Sequence, residues 1–201
     1  ETGAGAGLVS VTVPPRDIAL LAASPAAVIL RPTDGLPAFR EAVSEPRVGS
    51  IVIGPGAGAD ARTRMRVLDA LAAAKPCLLD ADALTAFAEH PARLQAATLA
   101  NGNAVLTPHE GEFARVFPGI EGDRLSRARA AAVASGAVVL LKGPDTVIAA
   151  PDGRAAINAN APPWLGTAGS GDALAGIIGG LLAQGLEPFE AASAGAWLHG
   201  Q

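Results

Sequence analysis

The sequence predicts an α/β fold built on a mostly parallel sheet. Short runs of β-branched and other apolar residues alternate with Ala-rich helical stretches along the 201 residues, which is the pattern of βα units. The β-rich runs are apolar at most positions, as expected for strands that helices cover on both faces. Proline and glycine separate these runs, as in Gly-Pro-Gly at 54–56 and Lys-Gly-Pro-Asp at 142–145.

The predicted strands are short apolar runs that stop at a turn residue or a polar group. They lie at 8–13, 27–30, 50–53, 77–79, 104–106, 138–141, 146–150 and 155–158. Pro-Asp-Gly-Arg at 151–154 joins the last two runs, and a turn of this composition predicts an antiparallel hairpin. We therefore expect antiparallel strands at one edge of the sheet.

The predicted helices are Ala-rich stretches, several of which begin at Asp or Pro, residues favoured at helix starts. They lie at 17–23, 37–44, 60–74, 83–89, 110–116, 123–135, 172–184 and 188–198. No linker-like or low-complexity segment separates these elements, so we expect a single domain over residues 1–201. Because the chain starts without Met and stops after a helical stretch, we expect it to be an excerpt of a longer polypeptide.

The composition excludes several classes of protein. The net charge is −4 and Lys and Arg form no cluster, which argues against a nucleic-acid surface. No run reaches the ~18 consecutive apolar residues of a membrane span. A single cysteine, Cys77, excludes an intrachain disulfide framework and a metal site built on several cysteines. Since no signal-peptide pattern is present either, we expect a cytoplasmic protein without membrane or nucleic-acid partners.

The most informative segment is Gly-Thr-Ala-Gly-Ser-Gly-Asp at 166–172, a glycine-rich turn that runs into a helical stretch. The small residues Gly169, Ser170 and Gly171 allow backbone N–H groups to approach an anion, and the helix start adds partial positive charge. Asp172 beside such an anion hole is a candidate base for a hydroxyl that attacks a phosphoryl group. The alternative is that Asp172 only caps the helix, because Asp is common at that position.

Two further loops follow predicted strands, at the sheet edge where α/β proteins bind ligands. Gly-Pro-Gly-Ala-Gly at 54–58 lets a ligand approach the backbone closely, although a tight turn uses the same residues. Asp80 and Asp82 are two positions apart, so they can hold Mg²⁺, or Asp82 can cap the next helix. The sequence alone leaves both alternatives open.

The ends of the next two strands carry charged groups. After the fifth predicted strand, His109, Glu110 and Glu112 cluster at a helix start, where carboxylates are favoured. After the sixth, Lys142 can reach a phosphate and the turn behind it can complete a nucleotide pocket, or Lys142 only extends into solvent. Because all these ends share one sheet edge with the anion hole, they indicate phosphoryl transfer from a nucleotide to a hydroxyl.

The motifs resemble, in the same order, those of the ADP/ATP-dependent NAD(P)H-hydrate dehydratases, which belong to the ribokinase-like superfamily and are often labelled carbohydrate-kinase family proteins. They are the segments at 54–58, 80–84, 106–113, 142–146 and 166–176. The resemblance spans nearly the whole chain. It implies a ribokinase-like three-layer α/β/α fold with a mostly parallel central sheet and an antiparallel edge hairpin.

The resemblance implies the repair of a damaged nicotinamide cofactor. ADP or ATP phosphorylates the hydroxyl of (6S)-NAD(P)H hydrate, and loss of phosphate then restores NADH or NADPH. The resemblance also implies Mg²⁺ as a cofactor and a homo-oligomer, and it allows fusion to an NAD(P)H-hydrate epimerase domain in a longer chain. The family's first strand and helix and its last elements would lie outside residues 1–201.

The resemblance assigns roles to residues at matching positions. Asp172 is the expected catalytic base, and together with Gly58 and His109 it is expected to contact the hydrated substrate. In related vitamin kinases an Asn-x-x-Glu motif organises Mg²⁺ and phosphate. Here His109 stands at the Asn position and Glu112 at the Glu position, so Glu112 is expected to act on Mg²⁺ through water.

The resemblance also places the phosphoryl donor. The expected anion hole consists of Gly169, Ser170 and Gly171. The expected nucleotide-binding residues are Lys142, Gly143, Pro144, Asp145, Thr146 and Gly171. The loop at 158–164 precedes the anion hole and is a candidate flap, in which Trp164 either stacks on a ring or packs in the core.

Two other functions remain open. A kinase of the same fold would phosphorylate a small vitamin precursor or a sugar, although His109 stands where those kinases carry Asn. A nucleotide-binding module without catalysis is the second alternative, since the chain would lack elements at both ends. No single motif decides between ADP and ATP.

Overall fold

Eight strands form two sheets in the computed structural model, which describes residues 5–21, 28–160, 167 and 169–201. The strands are β1 (Val9–Val13), β2 (Val28–Pro32), β3 (Ile51–Ile53), β4 (Cys77–Leu79), β5 (Ala104–Leu106), β6 (Val138–Leu141), β7 (Thr146–Ala149) and β8 (Ala155–Asn158). β1 and β2 form a parallel pair, and the other six strands form a second sheet in chain order. β3 to β6 are parallel, whereas β7 pairs antiparallel with both β6 and β8.

The register of the parallel strands aligns their carboxyl ends. Ile53 pairs with Leu79, Leu79 with Leu106, and Leu106 with Val139. The residues that follow these strands therefore meet along one edge of the sheet. The mostly parallel sheet and the antiparallel edge hairpin that the sequence predicts are confirmed.

Helices connect the strands. They are α1 (Ile18–Leu21), preceded by a 3-10 turn at Pro15–Asp17, α2 (Gly35–Ser44), α3 (Ala61–Ala72), α4 (Asp82–Thr85), α5 (Pro91–Asn101), α6 (Glu110–Val116), α7 (Arg124–Ser135), α8 (Ser170–Ala183) and α9 (Pro188–His199). Asp60 and Asp123 cap α3 and α7, because their side chains accept hydrogen bonds from the N–H groups of Thr63 and Ser126. None of the described helices is long and apolar enough to cross a membrane.

The helices differ from the predicted ones in two places. The helix predicted at 83–89 is a single turn, α4, and α5 is absent from the prediction. The buried residues of α5 are Leu94, Thr98 and Asn101, so the helix lacks the apolar period by which amphipathic helices are identified. Pro91 at its first position is an ordinary start signal that the prediction did not use. Of the helix predicted at 17–23, the last two residues lie outside the described ranges.

Two hydrophobic clusters cover the two faces of the six-stranded sheet. On one face, Leu79 and Leu106 pack with side chains of α2 to α7, including Phe113. On the other face, Leu78 and Val105 pack with α8 and α9. Because successive residues of a strand point to opposite faces, these strands supply both clusters. The arrangement has three layers, α/β/α, as predicted.

Candidate active site at the carboxyl edge of the sheet

Buried charges from three connected segments meet at the carboxyl edge of the sheet. Asp80 follows β4 and is 1% exposed, and Lys142 follows β6, two strands away. Lys142 Nζ lies 2.7 Å from Asp80 Oδ1 and 3.9 Å from Oε2 of Glu112, which belongs to α6. The backbone N–H of Lys142 donates to Pro108 O at 2.9 Å, which holds the lysine beside the end of β5. We call Asp80, Glu112 and Lys142 the charged cluster.

The charged cluster holds a cation within reach of a ligand. The Asp80 and Glu112 side chains are 1% and 6% exposed, whereas the Lys142 side chain is 20% exposed. An ammonium has three N–H donors, and Asp80 accepts one of them. Lys142 therefore balances a buried carboxylate and keeps donors for an anion.

His109 and Glu112 form a capping box at the start of α6. His109 Nδ1 accepts hydrogen bonds from the N–H groups of Gly111 and Glu112 at 2.9 and 3.2 Å, and Glu112 Oε2 accepts one from the His109 N–H at 2.9 Å. Because Nδ1 accepts, the neutral ring carries its proton on Nε2, which lies 3.4 Å from Glu112 Oε1. The His109 side chain is 55% exposed, so the ring can contact a ligand while it caps the helix.

The glycine loop at 54–58 packs against the strand end that carries Asp80. A β-carbon at Gly54 would collide with the backbone carbonyl oxygen of Asp80, so only glycine fits there. Gly58 is exposed, and its N–H donates to Oδ2 of Asp82 at 2.8 Å. Asp82, the first residue of α4, therefore ties the glycine loop to the neighbouring strand end.

The start of α8 lies opposite the charged cluster. Gly169 precedes α8 in the left-handed conformation, with φ at 86°. A β-carbon at Gly171 would lie 3.6 Å from Lys142 Nζ and 3.9 Å from Asp80 Oδ2. The first turn of α8 and the Lys142 ammonium therefore flank one space, and both attract anions.

Asp172 lies in the first turn of α8 and is exposed. Gly169 occupies the cap position and no side chain caps α8, so Asp172 does not act as the helix cap. Its carboxylate forms no hydrogen bond or ion pair with the part of the chain that the structure describes. A carboxylate that is free of structural partners can accept a proton from a ligand.

His199 is a site residue that the sequence analysis missed. Its Nε2 lies 3.1 Å from Ser170 Oγ, in the expected anion hole. Partial burial lowers the pKa of His199, and a hydrogen bond with Ser170 opposes that shift. Only an indirect feature of the sequence could have predicted this contact. α8 and α9 have 14 and 12 residues and are joined by a short loop, so the end of α9 can return to the start of α8.

Arg124 holds the turn at 142–146 in place and was also missed. Its guanidinium donates to Leu141 O at 3.0 Å and to Glu110 Oε1 at 2.6 Å. A β-carbon at Gly143 would collide with that guanidinium, so the turn packs directly on the arginine. Thr146 Oγ1 donates to Gly143 O at 3.2 Å and closes the turn. The exposed residues of the turn are Pro144 and Asp145.

Comparison with known proteins identifies the family. The family model described as NAD(P)H-hydrate dehydratase matches residues 2–201. The chain belongs to this family. A bifunctional NAD(P)H-hydrate repair enzyme Nnr of Moorella thermoacetica is 42% identical over 214 residues, which cover 98% of this chain and 39% of that protein. The chain thus spans about two fifths of the length of this curated relative.

Solved structures agree with the family assignment. The crystal structure of the ADP/ATP-dependent NAD(P)H-hydrate dehydratase from Bacillus subtilis, co-crystallized with ATP/Mg²⁺, matches with a TM-score of 0.76 and 27% identity, over 98% of this chain and 72% of that one. A ribokinase-like superfamily protein of Enterococcus faecalis matches with a TM-score of 0.79 and 28% identity, over 99% and 69% of the two chains. The ribokinase-like fold implied by the resemblance is confirmed.

In this member of the dehydratase family, the residues predicted from the sequence lie at one edge. Gly171 faces Lys142, and Lys142 contacts Glu112. Glu112 and His109 together form the capping box of α6. Gly58 is joined to this edge by its hydrogen bond to Asp82, and not by a contact with the charged cluster. Trp164 and the rest of the predicted flap beyond residue 160 lie outside the described residues.

The surroundings of Glu112 in this dehydratase-family chain fit the expected contact with Mg²⁺ only if water lies between the carboxylate and the ion. Both Glu112 oxygens already face His109, and in the described ranges no three His, Cys, Asp or Glu side chains are arranged to hold a metal. Mg²⁺ dehydrates reluctantly and is often bound through one or two carboxylates and several waters. Asp80 and Asp82 have different partners, Lys142 and the Gly58 N–H, so they do not form the direct pair that their spacing allows.

Proposed function

We propose that this chain catalyses the nucleotide-dependent dehydration of (6S)-NAD(P)H hydrate to NAD(P)H. The observation that carries the proposal is the placement of Gly171, at the start of α8, against Lys142, with Asp172 one residue further on and without a partner among the described residues. The helix start and the Lys142 cation flank one space, and Asp172 lies in the same first turn of α8. These are the groups that phosphoryl transfer to a hydroxyl requires.

Asp172 acts as the general base in this proposal. Its carboxylate takes the proton from the hydroxyl of the hydrate, and the hydroxyl oxygen attacks the terminal phosphorus of the nucleotide. The bond from that phosphorus to the bridging oxygen breaks, and the nucleotide leaves with one phosphate fewer. Because Asp172 is exposed and forms no hydrogen bond or ion pair with the described residues, it can approach the substrate without losing any of their contacts.

The second step is elimination of the new phosphate ester. The carbon–oxygen bond breaks, the phosphate leaves with both bonding electrons, and loss of a neighbouring proton restores the ring double bond. Phosphate is a far better leaving group than hydroxide, so the phosphoryl group makes dehydration accessible. The backbone N–H groups of Gly169, Ser170 and Gly171 stabilise the phosphate that departs.

The phosphoryl donor lies along the turn at 142–146 in this proposal. Lys142 contacts a donor phosphate, while the rest of the turn (Gly143, Pro144, Asp145 and Thr146), fixed by Arg124, lies against the nucleotide. The Bacillus subtilis relative, named as ADP/ATP-dependent and crystallized with ATP/Mg²⁺, supports an adenine nucleotide as donor. Glu112 would hold Mg²⁺ through water, and the ion would supply positive charge to the phosphates of the nucleotide.

The hydrated ring lies between Gly58 and His109 on the substrate side. Gly58 presents exposed backbone, and the His109 ring is exposed while its Nδ1 is fixed by the helix cap. The capped ring is preorganised, because its orientation does not have to be set by the substrate.

One assay tests the proposed function against its alternatives. The chain is incubated with hydrated NADH or NADPH and with ADP or ATP, and the absorbance of the dihydronicotinamide is followed together with nucleotide consumption. The proposal predicts that absorbance returns in a nucleotide-dependent reaction. A stable phosphorylated product without recovered absorbance would indicate a kinase, and nucleotide binding without turnover would indicate a binding module.

A further inference from the structure

A second pocket lies at the carboxyl ends of β1 and β2, against α3. Its volume is about 440 Å³, within the range of small-molecule sites. Residues 14–16 after β1 and residues 33–35 after β2 form two of its walls, and Arg62 and Arg66 of α3 form the third. We call it the arginine pocket.

The arginine pocket has an excess of positive charge. Arg16, Arg62 and Arg66 line it together with one carboxylate, that of Asp34. Arg16 contacts Asp17 at 3.6 Å, and its side chain is 76% exposed. A guanidinium is always charged in proteins, so the pocket attracts anions at any ordinary pH.

Arg62 and Arg66 keep donors available for a ligand. Neither forms an ion pair with any described side chain, and Arg66 Nε is buried without a hydrogen-bond partner. The Arg66 guanidinium lies 5.9 Å from the centroid of the Phe39 ring, which orients it. The carboxylate nearest to Arg62 in the chain, Asp60, is engaged in capping α3. Guanidinium groups with unused donors match the oxygens of a phosphate.

Two arginines of the pocket follow the proposed substrate-binding residue Gly58 closely in the sequence. Arg62 comes four residues after Gly58, and Arg66 lies one helical turn further along α3. A dinucleotide whose hydrated ring lies at Gly58 extends its phosphates away from the ring. Every NAD(P)H hydrate carries a pyrophosphate, and the NADPH form adds a 2′-phosphate.

We infer that the arginine pocket binds a phosphate group of the dinucleotide substrate, with Arg62 and Arg66 as its ligands. The inference rests on the proposed function for the identity of the ligand. It assigns the two arginines to substrate binding, since the residues that line the pocket include none of those proposed to surround the reacting hydroxyl. Their effect therefore falls on KM rather than on kcat.

The test compares Arg62→Gln and Arg66→Gln with a matched control, Arg129→Gln. Arg129 is exposed on α7 and forms no hydrogen bond or ion pair with other described side chains. KM is measured with NADH hydrate and with NADPH hydrate, and the affinities for NADH and NADPH themselves are measured by their fluorescence. Loss of a charged hydrogen bond predicts an increase in KM and Kd of about tenfold or more for each variant, with the control unchanged.

The two substrates distinguish the two phosphate sources. A larger loss for the NADPH form assigns the pocket to the 2′-phosphate, and an equal loss assigns it to the pyrophosphate. Unchanged KM and Kd in both variants, or a fall in kcat alone, would overturn the inference. Because Arg66 packs on Phe39, Arg66→Lys and a thermal melt separate loss of binding from loss of folding.

Failure of the inference and failure of the proposed function give different results. A chain that restores NAD(P)H equally well with and without the arginines has the proposed activity but not this phosphate site. A chain that binds NADPH through Arg62 and Arg66 but never restores the hydrate has the phosphate site without the proposed activity.

Discussion

Lys142 Nζ lies 2.7 Å from Asp80 Oδ1, and this ion pair joins the ends of β6 and β4 across β5. The Asp80 side chain is 1% exposed, so water contributes little to balancing its charge. The same ammonium faces Gly171 at the start of α8. One lysine therefore stabilises the sheet edge and supplies the cation of the proposed anion site.

Replacing Lys142 tests the structural half of this arrangement. Lys142→Met leaves the buried Asp80 carboxylate unpaired, so we expect the free energy of unfolding to fall by about 3 kcal/mol. Urea denaturation measures the loss. The double variant Asp80→Asn/Lys142→Met, which removes the buried charge, is expected to recover part of it. A loss under about 1 kcal/mol in the single variant would show that the pair contributes no more than an exposed one.

Because the glycine loop packs closely on the end of β4, we expect alanine to reduce the free energy of unfolding by different amounts at Gly54 and Gly56. Gly56→Ala places a side chain on a left-handed residue (φ 72°) with open space around it, which costs about 1 kcal/mol. Gly54→Ala adds a collision with the Asp80 carbonyl, so we expect a loss about 1–2 kcal/mol larger. Thermal or urea unfolding of the two variants side by side makes the comparison. Equal losses would mean that the loop does not pack on β4 as described.

The strands and the site edge could be predicted because their signals are local. Apolar runs such as Cys77–Leu79 identify buried strands, and parallel strands place their carboxyl ends at one edge. His109 and Glu112, three residues apart, form the capping box that their spacing allows. An Asn at the His109 position would cap the same way, which gives the Asn-x-x-Glu pattern a local physical basis.

The remaining features depend on contacts between distant parts of the chain. Lys142 and Asp80 are 62 residues apart and Ser170 and His199 are 29 apart, so no local pattern connects them. Arg124 reaches the turn after β6 only because α7 packs beside that strand. The helix α5 was missed for another reason, since two of its three buried residues are polar.

The partial burial of His199 predicts a pH-dependent stability. Burial lowers the pKa of His199 from its ordinary value of 6.5, so the folded protein resists protonation there. As the pH falls below that value, the unfolded chain binds a proton at His199 before the folded protein does, and stability decreases. We expect His199→Gln to reduce this decrease between about pH 7 and pH 5, whereas His90→Gln, at an exposed position, leaves it unchanged. Unfolding curves measured across that pH range test this prediction. If His199→Gln does not change the dependence of stability on pH, the lowered pKa of His199 is contradicted.

In the proposed reaction Asp172 takes the proton from the hydroxyl of the hydrate, and Asp172→Asn removes this base. Because Asp172 is exposed and has no partner among the described residues, the substitution should leave folding and nucleotide affinity intact. A control is Glu190→Gln, which changes an exposed carboxylate in the first turn of α9 that lies 3.5 Å from the Arg154 guanidinium.

The deciding measurement is the rate of nucleotide-dependent NAD(P)H recovery from its hydrate in wild type, Asp172→Asn and Glu190→Gln. Loss of the general base predicts a fall of about 10²–10⁴-fold in kcat/KM for Asp172→Asn, with the control at the wild-type rate. Recovery by Asp172→Asn at close to the wild-type rate would show that Asp172 is not the general base.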